Sequence, residues 1–578
     1  MRKIIICIIG FPLVFLFSSC EKDFLDRKPL DQISQVEFWK TTSDMETYLN
    51  TLYASLPGWG THDAGPFWID NNSDNMVPGL YNTHLAGLTV LPVSGGGWDW
   101  TNVRAANVFL SSSSSVEDGA EGDKQHFLGE GYFFRAWFYF ELFQQFGGLP
   151  WIDEPLETNS PELYGMRQPR NITADHILSD LDSAIILLKD AGQAPVNRVN
   201  RSVALAFKSR VALYEGTWEK YHAGTVFGIT DGDPGKYLKQ SLDASEQLME
   251  SGKFAIYNTG HPESDYDLLF NQSDLSGNPE IIFWRKYKEG LLTHNGQRYL
   301  SIIAGNTGIS KSLVDSYLCT DGRPISSSRL YRGDSGLLQV VKNRDLRLRQ
   351  LIFVPGDPIT IDFSGGGDTL SVFGKAKINL GGDSRDVTGY QIKKGAYPDK
   401  TLQQADFTST TAAILFRYAE VLLNFAEAKA ELGTITQSDI DRSINLLRKR
   451  AGVAALQLAD IASDPGWDFP ELSPVINEIR RERRVELACE GYRYNDLCRW
   501  SAHRLIVHKR AKGARFIARD YPDNININVD EDGYIDPYQK SLPNGYGFNI
   551  ERDYLYPLPA YDLSLNEKLE QNPGWPRK

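Results

Sequence analysis

The sequence predicts a mostly α-helical protein: a scaffold of stacked helix hairpins, decorated by long loops and short β-hairpins. Three observations carry that reading. Apolar residues recur at helical spacing in runs through both ends of the chain, and pairs of such runs follow one another at similar intervals without a strict repeat period. Between residues 254 and 410 the periodicity is lost while Gly, Asp, Pro and Ser rise. The stretch GYFFRAWFYFELFQQFGGLPWIDEPL packs nine aromatic rings into Tyr132–Phe146. Its apolar residues lie all round the helix, which marks burial on every side, and Gly147-Gly148-Leu149-Pro150 stops it well short of a membrane-spanning length. At 578 residues the chain exceeds the size at which one hydrophobic core stops growing, so at least two packed regions are expected.

In chain order, Arg2 and Lys3 precede an apolar run from Ile4 to Phe17 and then Ser18-Ser19-Cys20. This is a signal-peptide layout, too short for a membrane span. Its small-residue end resembles the bacterial lipobox, with Phe17 standing where Leu, Val or Ile is usual. Residues 1–19 are therefore read as a lipoprotein signal and Cys20 as the lipidated N-terminus of a tether, 20–34. Acyl chains then supply the membrane affinity. Residues 35–253 form an N-terminal helical scaffold with ligand-binding loops. Its first helix fits SQVEFWKTTSDMETYLNTLYASL and stops at Pro57-Gly58. Aromatic, Gly-rich loops run from Trp59 to Trp100, and helices fit 102–113, 124–146, 174–189, 202–221 and 237–251. Residues 254–410 are the loop-rich middle, and 411–578 hold C-terminal helices, 412–432, 439–451 and 474–503, with closing loops.

The net charge of −13 argues against a nucleic-acid partner, whose phosphates require clustered Lys and Arg. Cys319, Cys489 and Cys498, left once the signal and Cys20 are set aside, have no metal-ligand spacing and are read as buried thiols. GDSG at Gly333–Gly336 and GDS at Gly382–Ser384 are short Gly-rich turns with no His–Asp arrangement in a recognisable order. No zinc-type His pair occurs. NVDEDGYID, Asn528–Asp536, partly imitates a calcium loop, but Gln539 stands where the twelfth-position Glu belongs, so a tight hairpin turn is the better reading and a weak calcium site the minority one. No catalytic residue, cofactor or metal site is nominated. Within EIRRERRVELACEGYR, Glu478 and Arg481, Arg483 and Glu486, and Glu490 and Arg493 stand three apart, a spacing suited to ion pairs within one helix. Glu420, Asn424, Glu427 and Glu431 share one polar helix face, either solvated or paired with a neighbouring helix.

Several blocks together resemble one family. GEGYFFRAWFYFELFQQFGGLPWIDEPL is similar to the signature helix of the SusD/RagB outer-membrane lipoproteins. CEKDFLDRKPLDQIS resembles their mature N-terminus, and SKSLVDSYLCTDGRPI and NRDLRLRQLIFVPGD their middle. LFRYAEVLLNFAEAKAELG, INLLRKRAGV and INEIRRERRVELACEGYRYNDLCRW resemble their C-terminal helices, and YLYPLPAYDLSLNEKLEQNPGW their closing segment. The resemblance implies a tetratricopeptide-like, SusD-like α-α superhelix on the cell surface. It implies a protein that captures oligo- or polysaccharide and caps a SusC-like TonB-dependent transporter. The RagB branch implies peptide or another nutrient instead, and a lipid-anchored hydrolase is a distant third reading.

Sugar rings offer flat apolar C–H faces rimmed by hydroxyls, so their sites need exposed aromatics beside amides, carboxylates or guanidinium groups. The loops supply Trp68 with Asp70, Asn71 and Asn72 in PFWIDNNSDNM, and Trp98 after three glycines in SGGGWDWTN. FWRKYKEG and HNGQRYL add Trp284, Tyr287, Gln297, Arg298 and Tyr299. A loop just before this helix often supplies a stacking aromatic in the family, a role Trp98 takes by position, whereas Trp100 is expected in the core. Trp68 and Trp98 are expected to form one aromatic platform with a polar rim.

Overall fold

The computed structural model describes residues 38–60, 65–521 and 527–577; Cys20 and the leader lie outside them. The N-terminal scaffold consists of α1 (Thr42–Tyr53), α2 (Thr101–Ser112), α3 (Glu121–Phe146), α4 (Arg170–Leu187), α5 (Arg201–Tyr221) and α6 (Pro234–Glu250). Successive helices pack on one another, α3 on α4 and α5 on α6 most extensively, as the hairpin reading requires. α1 begins later than the periodicity alone suggests. Thr41 closes a capping box there, its hydroxyl accepting from the Asp44 amide while Asp44 accepts from the Thr41 amide at 2.8 Å. Asn200 caps α5 by accepting from the amides of Ser202 and Val203.

The aromatic helix α3 is buried on all sides, as expected. Phe133 and Trp137 pack on Phe207 of α5, and Phe140 meets Tyr214 edge-on at 5.5 Å. Its one buried arginine, Arg135, makes a two-pronged bond to Asp180 of α4, with both contacts at 2.7 Å.

The middle region encloses a second core around Tyr266, Phe270, Leu300, Tyr317 and Ile352. β1 (Ile281–Arg285) pairs antiparallel with a later strand, β4 (Ala413–Arg417), Trp284 opposite Ile414. This ties the middle to the C-terminal helices. Between them β2 (Pro358–Asp362) and β3 (Asp368–Val372) make a short hairpin. In the tail, Asp530 donates its amide to the Tyr534 carbonyl at 2.9 Å and Gly533 takes φ +86°, giving the turn expected of NVDEDGYID. Cys319, Cys489 and Cys498 are buried free thiols.

The C-terminal segment contains α7 (Tyr418–Glu431), α8 (Ile444–Arg450), α9 (Pro474–Glu486) and α10 (Arg493–Arg499). The single long helix expected from Pro474 to His503 is thus two, separated where Cys489 (φ +62°) and Gly491 (φ +83°) leave the helical region. That break corrects the ion-pair reading. Glu478 and Arg481 do pair, at 3.2 Å. Arg483 instead reaches Asp496, Glu490 reaches Arg417 and Lys394, and Arg493 reaches Asp74. Glu486 sits among Arg347, Arg417 and Arg450. Burial alone would raise its pKa, but the three guanidinium groups outweigh that and hold its carboxyl well below the usual range. The polar face of α7 is likewise paired rather than solvated. Glu420 binds Arg210, Asn424 bonds Ser209 and Arg483, Glu427 binds Arg499, and Glu431 binds Lys220. Charges on buried helices must be neutralised across the packing, so these residues lock α5, α7, α9 and α10 together.

Candidate functional site

A ledge on the second core draws on two segments that carry Trp68, Asn71, Asn72, Arg298 and Tyr299, all nominated from sequence. A 3₁₀ segment, Gly65–Asn72, carries Trp68, and the helical turn Gly296–Arg298 runs into a π-turn, Tyr299–Ile303. Trp68 is half-buried and meets Tyr299 edge-on, with ring centroids 5.6 Å apart. Its other support is the turn Ala304-Gly305-Asn306, all three residues at positive φ. A methyl group on Gly305 would stand 2.2 Å from Trp68 Cζ2, so glycine is what lets the backbone lie against the indole.

Polar side chains stand on the segments that carry and adjoin this ring. Asn71 accepts from the Thr307 hydroxyl at 2.5 Å. Asn72 sits in the same segment, its Oδ1 buried with no hydrogen-bond partner. Arg298 reaches Asp406 at 3.3 Å and the Gln404 carbonyl at 3.4 Å. Lys377 donates to the Ile302 carbonyl, and its partial burial lowers its pKa. The turn is tied to the GDS segment: Gly305 N–H donates to the Asp383 backbone carbonyl at 2.7 Å. Asp386 accepts from Gly389 N–H at 2.8 Å while burial pushes its carboxyl up to about 7. Asp334 of GDSG is occupied by Arg515 and Tyr534, at 2.9 and 2.5 Å. The arrangement can stack one face of a flat ligand and hydrogen-bond its rim.

The other nominated residues are elsewhere, which corrects the expected platform. Trp98 is 9% exposed, with its ring edge-on to Trp100 and Phe146 at 5.2 and 5.0 Å. Gly95, Gly96 and Gly97 take positive φ, and Trp98 N–H bonds the Gly95 carbonyl at 3.1 Å. The three glycines therefore fold the loop tightly back and turn the indole inward instead of presenting it. Asp70 is fully buried and accepts from the Cys489 and Gly491 amides and from Asn75, clamping the break between α9 and α10; burial raises its pKa. Trp284 is buried on β1. Gln297 is buried and bonds Gly395 and Thr411, and Tyr287 is buried with its hydroxyl taking the Trp59 amide proton at 2.7 Å.

Asn306, Thr307 and Lys377 were not nominated from sequence. They come from segments remote from Trp68, and the only local signal was the Gly/Asn turn composition of AGNTG.

The architecture is a helical-hairpin scaffold whose loops carry an aromatic ledge, and among the described residues no group of three or more His, Cys, Asp or Glu could hold a metal ion. The chain belongs to the SusD family: that family's model matches residues 279–575, and a second model, described as starch-binding associating with outer membrane, matches residues 23–213. It is 24% identical over 585 residues to SusD-like protein P2 of Formosa agariphila, covering 97% of this chain and 98% of the relative. A SusD-like protein of Bacteroides ovatus is 24% identical over 607 residues, covering 96% of each. Among solved structures, a SusD-like protein from Bacteroides fragilis superposes with a TM-score of 0.71 at 22% identity over 95% of this chain and 100% of that one. A second from that species, titled a SusD-like carbohydrate binding protein, gives 0.70 at 22% identity over 92% and 100%. These likenesses establish the fold. Among the described residues no helix is long and apolar enough to cross a membrane.

Proposed function

We propose that the protein is a cell-surface lipoprotein of the outer membrane, anchored through Cys20, that captures a glycan and hands it to a SusC-like TonB-dependent transporter without altering it chemically. The observation that supports the ligand site is Trp68, half-exposed and braced by Tyr299 and Gly305, with Asn71, Asn72 and Arg298 alongside. One stacked ring and a wet polar rim suit a carbohydrate, whose hydroxyls exchange water hydrogen bonds for protein ones at small net gain, so the affinity is modest. The description of the matching N-terminal model as starch-binding and outer-membrane-associated supports both the ligand class and the location. Three strongly exposed apolar side chains on the loop after the 3₁₀ segment, Leu80 at 84%, Val90 at 81% and Val93 at 76%, are offered for transporter docking.

The test is a glycan array and a matched peptide panel screened with the purified protein. Retention of a glycan, lost in Trp68→Ala, bears the reading out. Retention of peptides alone defeats it in favour of peptide capture.

A further inference from the structure

Away from the Trp68 ledge, α9 borders a cavity of about 510 Å³ whose wall includes Ser316, Asp464, Trp467, Arg480, Arg481 and Arg484. Its buried side-chain groups divide unevenly. The carboxylates have cationic partners: Asp464 accepts from Arg481 at 2.5 Å and from Ser326 at 2.9 Å, Asp468 lies 3.4 Å from Arg484, and Asp315 pairs with Lys311 at 2.6 Å. Donors on Arg480 and Trp467 lack partners. Arg480 is 2% exposed, yet its Nε and Nη1 have no hydrogen-bond partner; only Nη2 is used, toward Glu431 at 3.2 Å. Trp467 Nε1, on the loop before α9, is also buried without a partner. The Arg480 guanidinium is held in place by the rings of Tyr221, Phe469 and Trp500, 4.3–4.5 Å from their centroids. Aromatic faces stabilise the cation but take its N–H groups poorly.

A buried donor left unmade is costly, and a cavity wall that holds fixed, unpartnered donors is complementary to an oxygen-rich acceptor. Arg484, whose nitrogens are all bonded, to Asn75, Ser316, Asp74 and Ser312, adds positive charge to the same wall but no free donor. We infer that this cavity binds a small oxyanion, a carboxylate or a sulfate, through Arg480 and Trp467. The same chemistry is presented by a free inorganic ion and by an acidic sugar, and the volume admits either. The site stands independently of the glycan reading, since it shares no residue with the ledge.

The experiment is isothermal titration of the full mature protein in detergent with sodium sulfate, and separately with a hexuronic acid, against sodium chloride at matched ionic strength. Saturable binding of one or both is expected, a preference for hexuronate identifying an acidic sugar as the source and a preference for sulfate an inorganic ion. Trp467→Phe keeps the ring and removes the N–H, and its Kd is expected to rise at least fivefold. Arg480→Lys keeps the charge and removes the fork, and a rise of at least tenfold is expected, read only in protein whose circular dichroism spectrum is native. No saturable heat with either ligand, or equal affinity in wild type and Trp467→Phe, overturns the inference; water alone then fills the cavity.

Discussion

Replacing Trp68 by Ala probes the proposed ligand face with the least disturbance of the fold. The indole is half-exposed and its buried side rests on Tyr299 and on the Gly305 backbone. Truncation therefore removes one stacking face from the ligand and only part of a ring from the second core. Losing a stacked apolar face costs about 1–3 kcal/mol, which at about 1.4 kcal/mol per decade is roughly a 5- to 150-fold rise in Kd. The Tm should fall by a few degrees, since only the packing of the ring's buried side on Tyr299 is lost from the core. The assay is calorimetric titration of wild type and variant with the glycan that the array retains, beside a thermal melt of each. An unchanged Kd in a stably folded variant refutes the ledge as the site. A Tm collapse with an unchanged Kd below the transition would show that Trp68 is a packing residue only.

Trp98→Ala should do the reverse: its ring is buried against Trp100 and Phe146, so the expected loss is about 3–5 kcal/mol of stability by denaturant unfolding, with glycan Kd unchanged below the transition. Acid should destabilise the fold through Glu427 and Asp74. Burial alone would raise both, but Arg499 and Arg483 on Glu427, and Arg484 and Arg493 on Asp74, outweigh it and set both at about 2. Folded values below the unfolded ones mean that this stability is complete above roughly pH 4.5 and drains away as pH falls toward 2. Glu141 and Glu219, pushed up to about 7 chiefly by burial, act oppositely and weaken the fold as pH rises from roughly 4.5 to 7. Denaturant midpoints measured from pH 2 to 8 should therefore peak near pH 5, and a flat profile below 5 contradicts the arginine pairing. Cys20→Ala should move the protein from the outer-membrane fraction to the soluble one; persistent tight association in the membrane fraction contradicts the lipid anchor.

The helices were legible because their signals are local. The nine-ring run of α3 has apolar residues on every face, and burial on every face follows directly. The three thiols had no ligand spacing and are buried. The α9–α10 region was misread for an equally physical reason. Residues 478–493 look like one salt-laced helix, but Cys489 and Gly491 adopt left-handed backbone, and their amides are held by Asp70 from more than 400 positions upstream. No sequence window contains both partners. Trp98 failed through the glycines that nominated it: three in a row permit an exposed tip or a tight inward turn, and Phe146 and Trp100 decide between them. Trp68 was named, but its bracing by Gly305 and the contributions of Asn306 and Lys377 arise from loops brought together only by the second core.

The central claim, capture of a glycan at a loop-borne ledge without chemistry, is tested most directly by prolonged equilibrium binding followed by mass analysis of the recovered ligand. The account predicts saturable binding that Trp68→Ala weakens, with every recovered oligosaccharide at its original mass. Shortened products that scale with protein concentration, or no saturable glycan binding at all, would contradict it.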